Sequence, residues 1–294
     1  MSQLYGSEAI LLGLPHSAEG EKVMSVNRRD FLKIVSMSTI LSIGGVATVG
    51  SLKNHVEASQ NSKSPTALTA KRWAMVVDMS KFKAEEDYRK CIDACHLSHN
   101  VPHITDNPKH EIKWLWTETY DHAFPGNEDE FRAEKFKEMP FLMLCNHCEN
   151  PPCVRVCPTQ ATFKRKSDGI VMMDMHRCIG CRFCMAGCPY GARSFNFKNP
   201  RPFLDKVKEN PEFPTRMKGV VEKCTLCYER LAKGLLPACV EAAKEVAAKN
   251  GTTPGLIFGD LEDPNSEVRK ILSERFTIRR KPEIGTGPSV YYII

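Results

Sequence analysis

From residue 73 onward the apolar positions fall into short runs, not long periodic blocks. Trp73 to Val77 is a continuous apolar run that predicts a first strand. Lys81 to Cys95 carries charges at helical spacing and predicts a helix closing near His99-Asn100-Val101-Pro102. Apolar residues in Thr162 to Lys166 and Ile170 to Asp174 flank Ser167-Asp168-Gly169, a turn that wants positive φ, so this stretch predicts a hairpin. Further on, the pattern gives a Pro-rich connection from Asn199 to Pro214 and a strand at Val220-Val221. An alanine-rich helix follows Cys239 to about Lys249, then come the apolar run Leu256 to Phe258 and a helix opened by Pro264-Asn265-Ser266. Ser289 to Ile294 reads as a closing strand. Segment 103–140 holds Trp114, Trp116, the turn Pro125-Gly126-Asn127 and a charged helical stretch from Glu128 to Glu138, and reads as an insertion packed on the core. Short strands and helices in this order imply an α+β fold.

The first 58 residues carry a targeting pattern. Asn27-Arg28-Arg29-Asp30-Phe31-Leu32-Lys33 is a twin-arginine sequence with Asn where Ser or Thr is more usual. A weakly apolar run, Ile34 to Gly50, follows, and Val56-Glu57-Ala58 offers a small-residue cleavage site before Ser59. The run is about as long as the shortest spanning helices, but its glycines and hydroxyls make it a poor anchor. Residues 1–58 are therefore expected to be an export signal, with Met24 as an alternative start. Residues 59–72 are expected to be a linker, and 73–294 the folded part. A leader of this type carries proteins that are already folded, and the protein is therefore expected on the periplasmic or extracytoplasmic face of the membrane.

Composition changes the picture at one point, because 42% hydrophobic and 26% charged residues are ordinary for a globular chain. Thirteen cysteines are not ordinary, and all of them lie between Cys91 and Cys239. The net charge of +6 is unchanged by removing the leader, which holds five Lys/Arg and five Asp/Glu. Such a surplus can attract nucleic acid, but several anionic metal clusters would cancel it, so no nucleic-acid partner is expected.

The cysteines form runs. The first is Cys145-x2-Cys148-x4-Cys153-x3-Cys157-Pro158, the second Cys178-x2-Cys181-x2-Cys184-x3-Cys188-Pro189. The second has the spacing of bacterial ferredoxins, trailing proline included. Three thiolates at two-residue intervals wrap a loop over one cubane. A helix, helped by proline at its start, then carries the fourth away to the cluster of the other run. Crossing the runs gives one [4Fe–4S] cluster (A) on Cys145, Cys148, Cys153 and Cys188, and another (B) on Cys157, Cys178, Cys181 and Cys184. Two clusters with crossed ligands lie close together, which suits electron transfer.

Other cysteine chemistry fits less well. A tetrahedral zinc site needs four ligands and has no use for a third thiolate two residues on. Sulfurs this closely spaced along one loop pair poorly as disulfides. Covalent haem needs C-x-x-C-H, and His follows none of the C-x-x-C units. Cys224-x2-Cys227-x11-Cys239 supplies three ligands of a further site, whose fourth must come from Cys95 or Cys91.

Cys145-Asn146-His147-Cys148-Glu149-Asn150-Pro151-Pro152-Cys153 and Lys223-Cys224-Thr225-Leu226-Cys227 resemble the multi-cluster iron–sulfur subunits of membrane respiratory oxidoreductases, those of polysulfide, tetrathionate and dimethyl sulfoxide reductases among them. The resemblance covers about residues 73–294. It implies two pseudo-symmetric double-ferredoxin halves, the inner one at 145–197 and the second built from 73–102 and 220–260. The family carries four cysteine groups and four clusters. Aligned on Asn100-Val101-Pro102, Cys95 takes the fourth position of the first group and Cys91 the third. Glu85 and Tyr88 stand where the first two cysteines belong, and Ala243 where the last group's final one belongs. One cluster thus lacks three of its four ligands. The resemblance leaves cluster C on Cys95, Cys224, Cys227 and Cys239, three clusters in all, and Cys91 as a buried free thiol. A less usual site joining Cys91 to Glu85, Tyr88 or His96 is the alternative.

The resemblance implies that the lost cluster is the one facing the catalytic subunit in relatives that have a molybdopterin partner, so its loss argues against such a partner. The sequence is similar, over Cys91 to Pro102, Trp116-Thr117-Glu118-Thr119-Tyr120 and the leader, to the O subunits of Dsr membrane complexes. That similarity implies an integral-membrane quinone-reactive subunit and a multihaem cytochrome c as partners, membrane association through the partner, and a link to sulfur-compound metabolism. The second reading is the iron–sulfur subunit of a molybdopterin reductase of polysulfide or tetrathionate type. No G-x-G-x-x-G, P-loop or H-E-x-x-H occurs, and no active site of its own is expected. His147 and His176 read as neighbours of the clusters or surface residues, Trp114 and Trp116 as core before a face for the membrane partner, and Arg182 and Lys223 as solvated cations before charges that offset the clusters.

Overall fold

The computed structural model describes residues 64–126, 134, 136, 139–206 and 208–294. The twin-arginine leader and most of the Glu128–Glu138 stretch lie outside them.

In chain order the elements are β1 (Trp73–Asp78), α1 (Glu85–Ser98), β2 (Leu115–Glu118), α2 (Tyr120–Ala123), β3 (Phe141–Leu144) and α3 (Pro152–Arg155). Next come β4 (Thr162–Lys164), β5 (Val171–Met173), α4 (Phe183–Ala186), β6 (Ser194–Phe195) and β7 (Val221–Glu222). The chain closes with α5 (Tyr228–Leu231), α6 (Ala238–Asn250), β8 (Leu256–Asp260), α7 (Glu267–Glu274), β9 (Thr277–Ile278) and β10 (Val290–Ile293). The four-stranded sheet has the order β8-β1-β10-β9, with β1 antiparallel to β8 and parallel to β10. Three two-stranded ribbons, β2–β3, β4–β5 and β6–β7, are all antiparallel.

β1 is buried along its whole length because it separates two cores. Successive side chains of a strand point to opposite faces. Trp73, Met75 and Val77 join the main core, which also holds Cys91, Cys95, Cys145, Cys148, Cys224 and Cys239. Ala74 and Val76 meet Ile257, Leu261 and Val268 on the other face, under α7. Ser266 caps α7 by accepting the Arg269 N–H at 3.3 Å.

α1 and α6 pack along each other, tied at one end by Asp87. Its carboxylate accepts from Lys83 N–H at 2.9 Å and from Asn250 Nδ2 at 2.7 Å. Residues 64–72, expected as linker, contain no helix or strand but are bound to the fold. Leu68 N–H donates to Leu231 O at 2.9 Å, and Lys71 and Arg72 N–H donate to the Asp260 carboxylate at 2.9 and 3.0 Å. The insertion is less separate than its composition suggested, since β2 pairs with β3 immediately before the first cysteine run. Trp114 and Trp116 are core residues, as expected.

Gly180, between Cys178 and Cys181, has φ +70°, and a Cβ there would stand 2.4 Å from Gly219 O. Gly191 has φ +65° and open space around it. Gly180→Ala is therefore expected to lower Tm several degrees more than Gly191→Ala, which carries only the backbone penalty of about 1 kcal/mol. Thermal melts of the two variants at one scan rate check this.

Candidate metal centres

The cysteine loops turn by positive-φ residues: His147 in the first run, Gly180 and Arg182 in the second, Leu226 and Cys227 in the third. Each then runs into a helix whose second residue is a cysteine, Cys153 in α3, Cys184 in α4 and Cys239 in α6. Helix N-termini leave backbone N–H groups free, and these suit anionic sulfur. In α3 and α4 the helix stops within a turn, and Cys157 and Cys188, four residues on, lead out of it ahead of Pro158 and Pro189. A proline cannot continue the ladder.

Cys145, Cys148, Cys153 and Cys188 line one cavity, with Tyr190, Val171 and Arg193 in its wall. Burial, with Cys145 close by, pushes the Cys148 thiol up to about 12, and Cys153 and Cys188 add to this. Cys188 is raised by burial and by Cys145. Cys157, Cys178 and Cys184 pack in one apolar patch with Cys153, and Cys181 is half-buried on the loop between two of them. Cys157 runs the other way. Burial raises it, but hydrogen bonds from Thr159, Ala161 and Thr162 outweigh burial and hold the thiol below its ordinary value.

The third group is the most deeply buried. Cys95 on α1 lies within electrostatic reach of Cys239, Cys224 and Cys227, and burial with these neighbours pushes it well up. Burial, then Cys145, pushes Cys224 up to about 12. Leu226 N–H donates to Cys224 Sγ and Ala238 N–H to Cys227 Sγ, both at 3.4 Å. In this third group all four thiols are dry and resist ionising, which fits a site where iron takes up the thiolate charge. Two-way contact also links the groups: Cys145 lies near Cys224, and Cys153 near Cys184.

Three side chains around the cysteine groups were not singled out from sequence. His99 Nε2 lies 2.8 Å from Glu229 Oε1, and His99, Cys227 and Glu229 present ligand atoms within 4.8 Å of one another. His99 stacks on Trp114 at 4.7 Å between centroids. Its offset of four from Cys95 on a helix was the one available signal. Arg193 is the third neighbour missed.

Lys223 corrects the solvated reading. It is 1% exposed, donating from Nζ to Val171 O and, at 2.7 Å, to Cys224 O. His147 is buried too, with Nδ1 accepting the Val171 N–H at 3.1 Å. His176 is exposed, and Arg182 stands in solvent over the Phe195 and Phe197 rings. Of the residues that the alternative site around Cys91 would use, Glu85 is exposed and paired with Arg89, and His96 Nε2 lies 3.1 Å from Leu115 O.

Residues 138–201 match the family model described as a 4Fe-4S dicluster domain. Across 279 aligned residues the chain is 39% identical to the Hdr-like menaquinol oxidoreductase iron-sulfur subunit 1 of Archaeoglobus fulgidus, covering 88% of this chain and 98% of that one. It is 33% identical over 236 residues to the menaquinone reductase iron-sulfur cluster-binding subunit of Nitratidesulfovibrio vulgaris, covering 76% and 88%. Against a tetrathionate reductase subunit of Salmonella typhimurium identity is 43% over 172 residues, 57% and 58% of the two chains. With its cysteines gathered in this way and relatives matched along nearly their whole length, the chain belongs to the iron–sulfur electron-transfer subunits of quinone-linked oxidoreductases.

Proposed function

We propose that this subunit holds three [4Fe–4S] clusters, on the sets A, B and C given above, and relays single electrons along the order B, A, C. One observation carries the count. In α3 and α4 the residue four beyond the helix cysteine is Cys157 or Cys188, at a helix exit. In α6 the equivalent residue is Ala243, buried inside a helix that continues to Asn250. The opposing ligand positions, Glu85, Tyr88 and Cys91, lie in the unbroken helix α1, where no positive-φ turn could wrap a cubane. The fourth site of the family is replaced by the packing of α1 on α6. The recurring loop, helix and crossed ligand support two pseudo-symmetric halves.

The clusters supply one-electron storage; the chain supplies insulation and an end to the wire. The ligands of C are buried, whereas Cys157, Cys178 and Cys181 are half-buried beside the exposed Ile179 and Phe183. Set B is then the face where a partner meets the relay. Among the described residues no helix is long and apolar enough to cross a membrane. The twin-arginine motif supports export to the outer face, with an integral-membrane quinone-reactive subunit and a multihaem cytochrome c as partners and sulfur-compound metabolism beyond.

Protein purified anaerobically is expected to be brown and to carry about 12 irons and 12 sulfides per chain. About 16 irons with copurified molybdenum would favour the molybdopterin-reductase reading. Colourless, zinc-loaded protein would end both.

A further inference from the structure

Arg193 is 5% exposed, yet among the described residues no carboxylate lies within ion-pair distance of it. A buried guanidinium without an acid is strongly unfavourable unless another negative charge compensates it. Of the other two buried arginines, Arg216 has such an acid in Glu222 at 2.8 Å, and Arg280 instead donates to the carbonyls of Ala123 and Tyr190 at 2.8 and 3.2 Å.

What surrounds Arg193 instead is sulfur. It stands in the wall of the cavity lined by Cys145, Cys148, Cys153 and Cys188. Its charge lies within electrostatic reach of Cys153, Cys184 and Cys145, and Nη1 lies 3.8 Å from Met173 Sδ. The hairpin fixes it there. Thr162 Oγ1 donates its proton to Met172 O at 2.9 Å, leaving a lone pair that accepts Arg193 Nη2 at 2.7 Å.

We infer that Arg193 is the shared counter-charge of sets A and B, a positioning residue whose fixed cation raises the reduction potentials of both clusters together and leaves C untouched. This rests on the three-cluster reading. The physics is direct. A reduced cluster carries one more negative charge, so a nearby cation in a dry setting favours reduction, and hydrogen bonds to cluster sulfurs act in the same direction. One guanidinium serves both sets because its delocalised, permanent charge lies near Cys145 and Cys153 of one and Cys184 of the other. Placed at the junction, it also screens the repulsion between two neighbouring reduced clusters, so both can hold an electron.

The test is a redox titration of the loaded full-length chain followed by electron paramagnetic resonance, with iron counted, on wild type, Arg193→Gln and Arg193→Lys. In Arg193→Gln two midpoints are expected to fall, each by about tenfold in the reduction equilibrium, ~59 mV for one electron. The third midpoint stays in place, and Arg193→Lys recovers most of both shifts. Midpoints that do not move, or that move for one cluster or for all three alike, overturn the inference. Should Arg193→Gln fail to load, two clusters must be lost together, about eight of twelve irons, and lysine must restore them; any other loss, or none restored, overturns it. A wild type without three clusters would fail the underlying reading, a result distinct from three clusters with unmoved midpoints.

Discussion

Replacing Cys145 and Cys188 together by alanine is expected to remove one cluster and leave the other two with unchanged spectra and about eight irons per chain. Replacing Cys178 and Cys188, which belong to the same run, is expected to alter two clusters. Each would keep three thiolates and lose an iron or the whole cubane, so one native-like signal remains. The reason is the short helix after each third cysteine. α3 and α4 carry Cys157 and Cys188 a full turn from Cys153 and Cys184 before the chain exits at proline. Cys188 is thereby placed with Cys145, Cys148 and Cys153 around one cavity. If each run instead filled its own cluster, the two double variants would exchange outcomes. Iron, sulfide and electron paramagnetic resonance on both variants decide between the assignments. Single variants are less informative, since either scheme predicts damage to one cluster.

The gathering of Cys145, Cys148, Cys153 and Cys188 around one cavity was legible in the sequence, because it follows from fixed spacing, and spacing survives without any knowledge of packing. The same holds for the hairpin, found at Thr162–Lys164 and Val171–Met173, and for the helix over Ala238–Asn250. Trp73–Asp78 was legible as a strand because it is apolar on both faces. β6, β7 and β9 have two residues each, too short for any period to show, and only their partners define them. The helix predicted from Lys81 begins at Glu85, after a short turn at Met79–Lys81 that Asp78 caps. Buried cations were the least legible feature. Lys223 and Arg193 look like any surface residue until the backbone shows what encloses them, since the groups that make burial tolerable are backbone carbonyls and sulfurs from distant segments.

Arg216→Met is expected to destabilise the fold by about 3–5 kcal/mol, a fall in Tm of ~10 °C for a domain of this size. Arg216 and Glu222 are both fully buried and lie 2.8 Å apart. The guanidinium also donates to His99 O, to Asn100 O at 2.6 Å and to Pro214 O at 3.2 Å. Glu222 accepts from Trp114 Nε1 at 2.8 Å and Asn196 Nδ2 at 2.5 Å. The network thus joins the end of α1, the insertion, β6 and β7, all of which frame the third cysteine group. Methionine keeps most of the volume but leaves a carboxylate in a dry setting, which costs more than the lost contacts. Arg216→Met/Glu222→Gln removes that stranded charge and is expected to melt above Arg216→Met alone, a coupling that a double-mutant cycle isolates. Melts of both variants and of Glu222→Gln, loaded and anaerobic at one scan rate, measure it. Additive losses in the double variant would mean that the two charges do not stabilise one another, and that Arg216 acts only through the carbonyls at the end of α1.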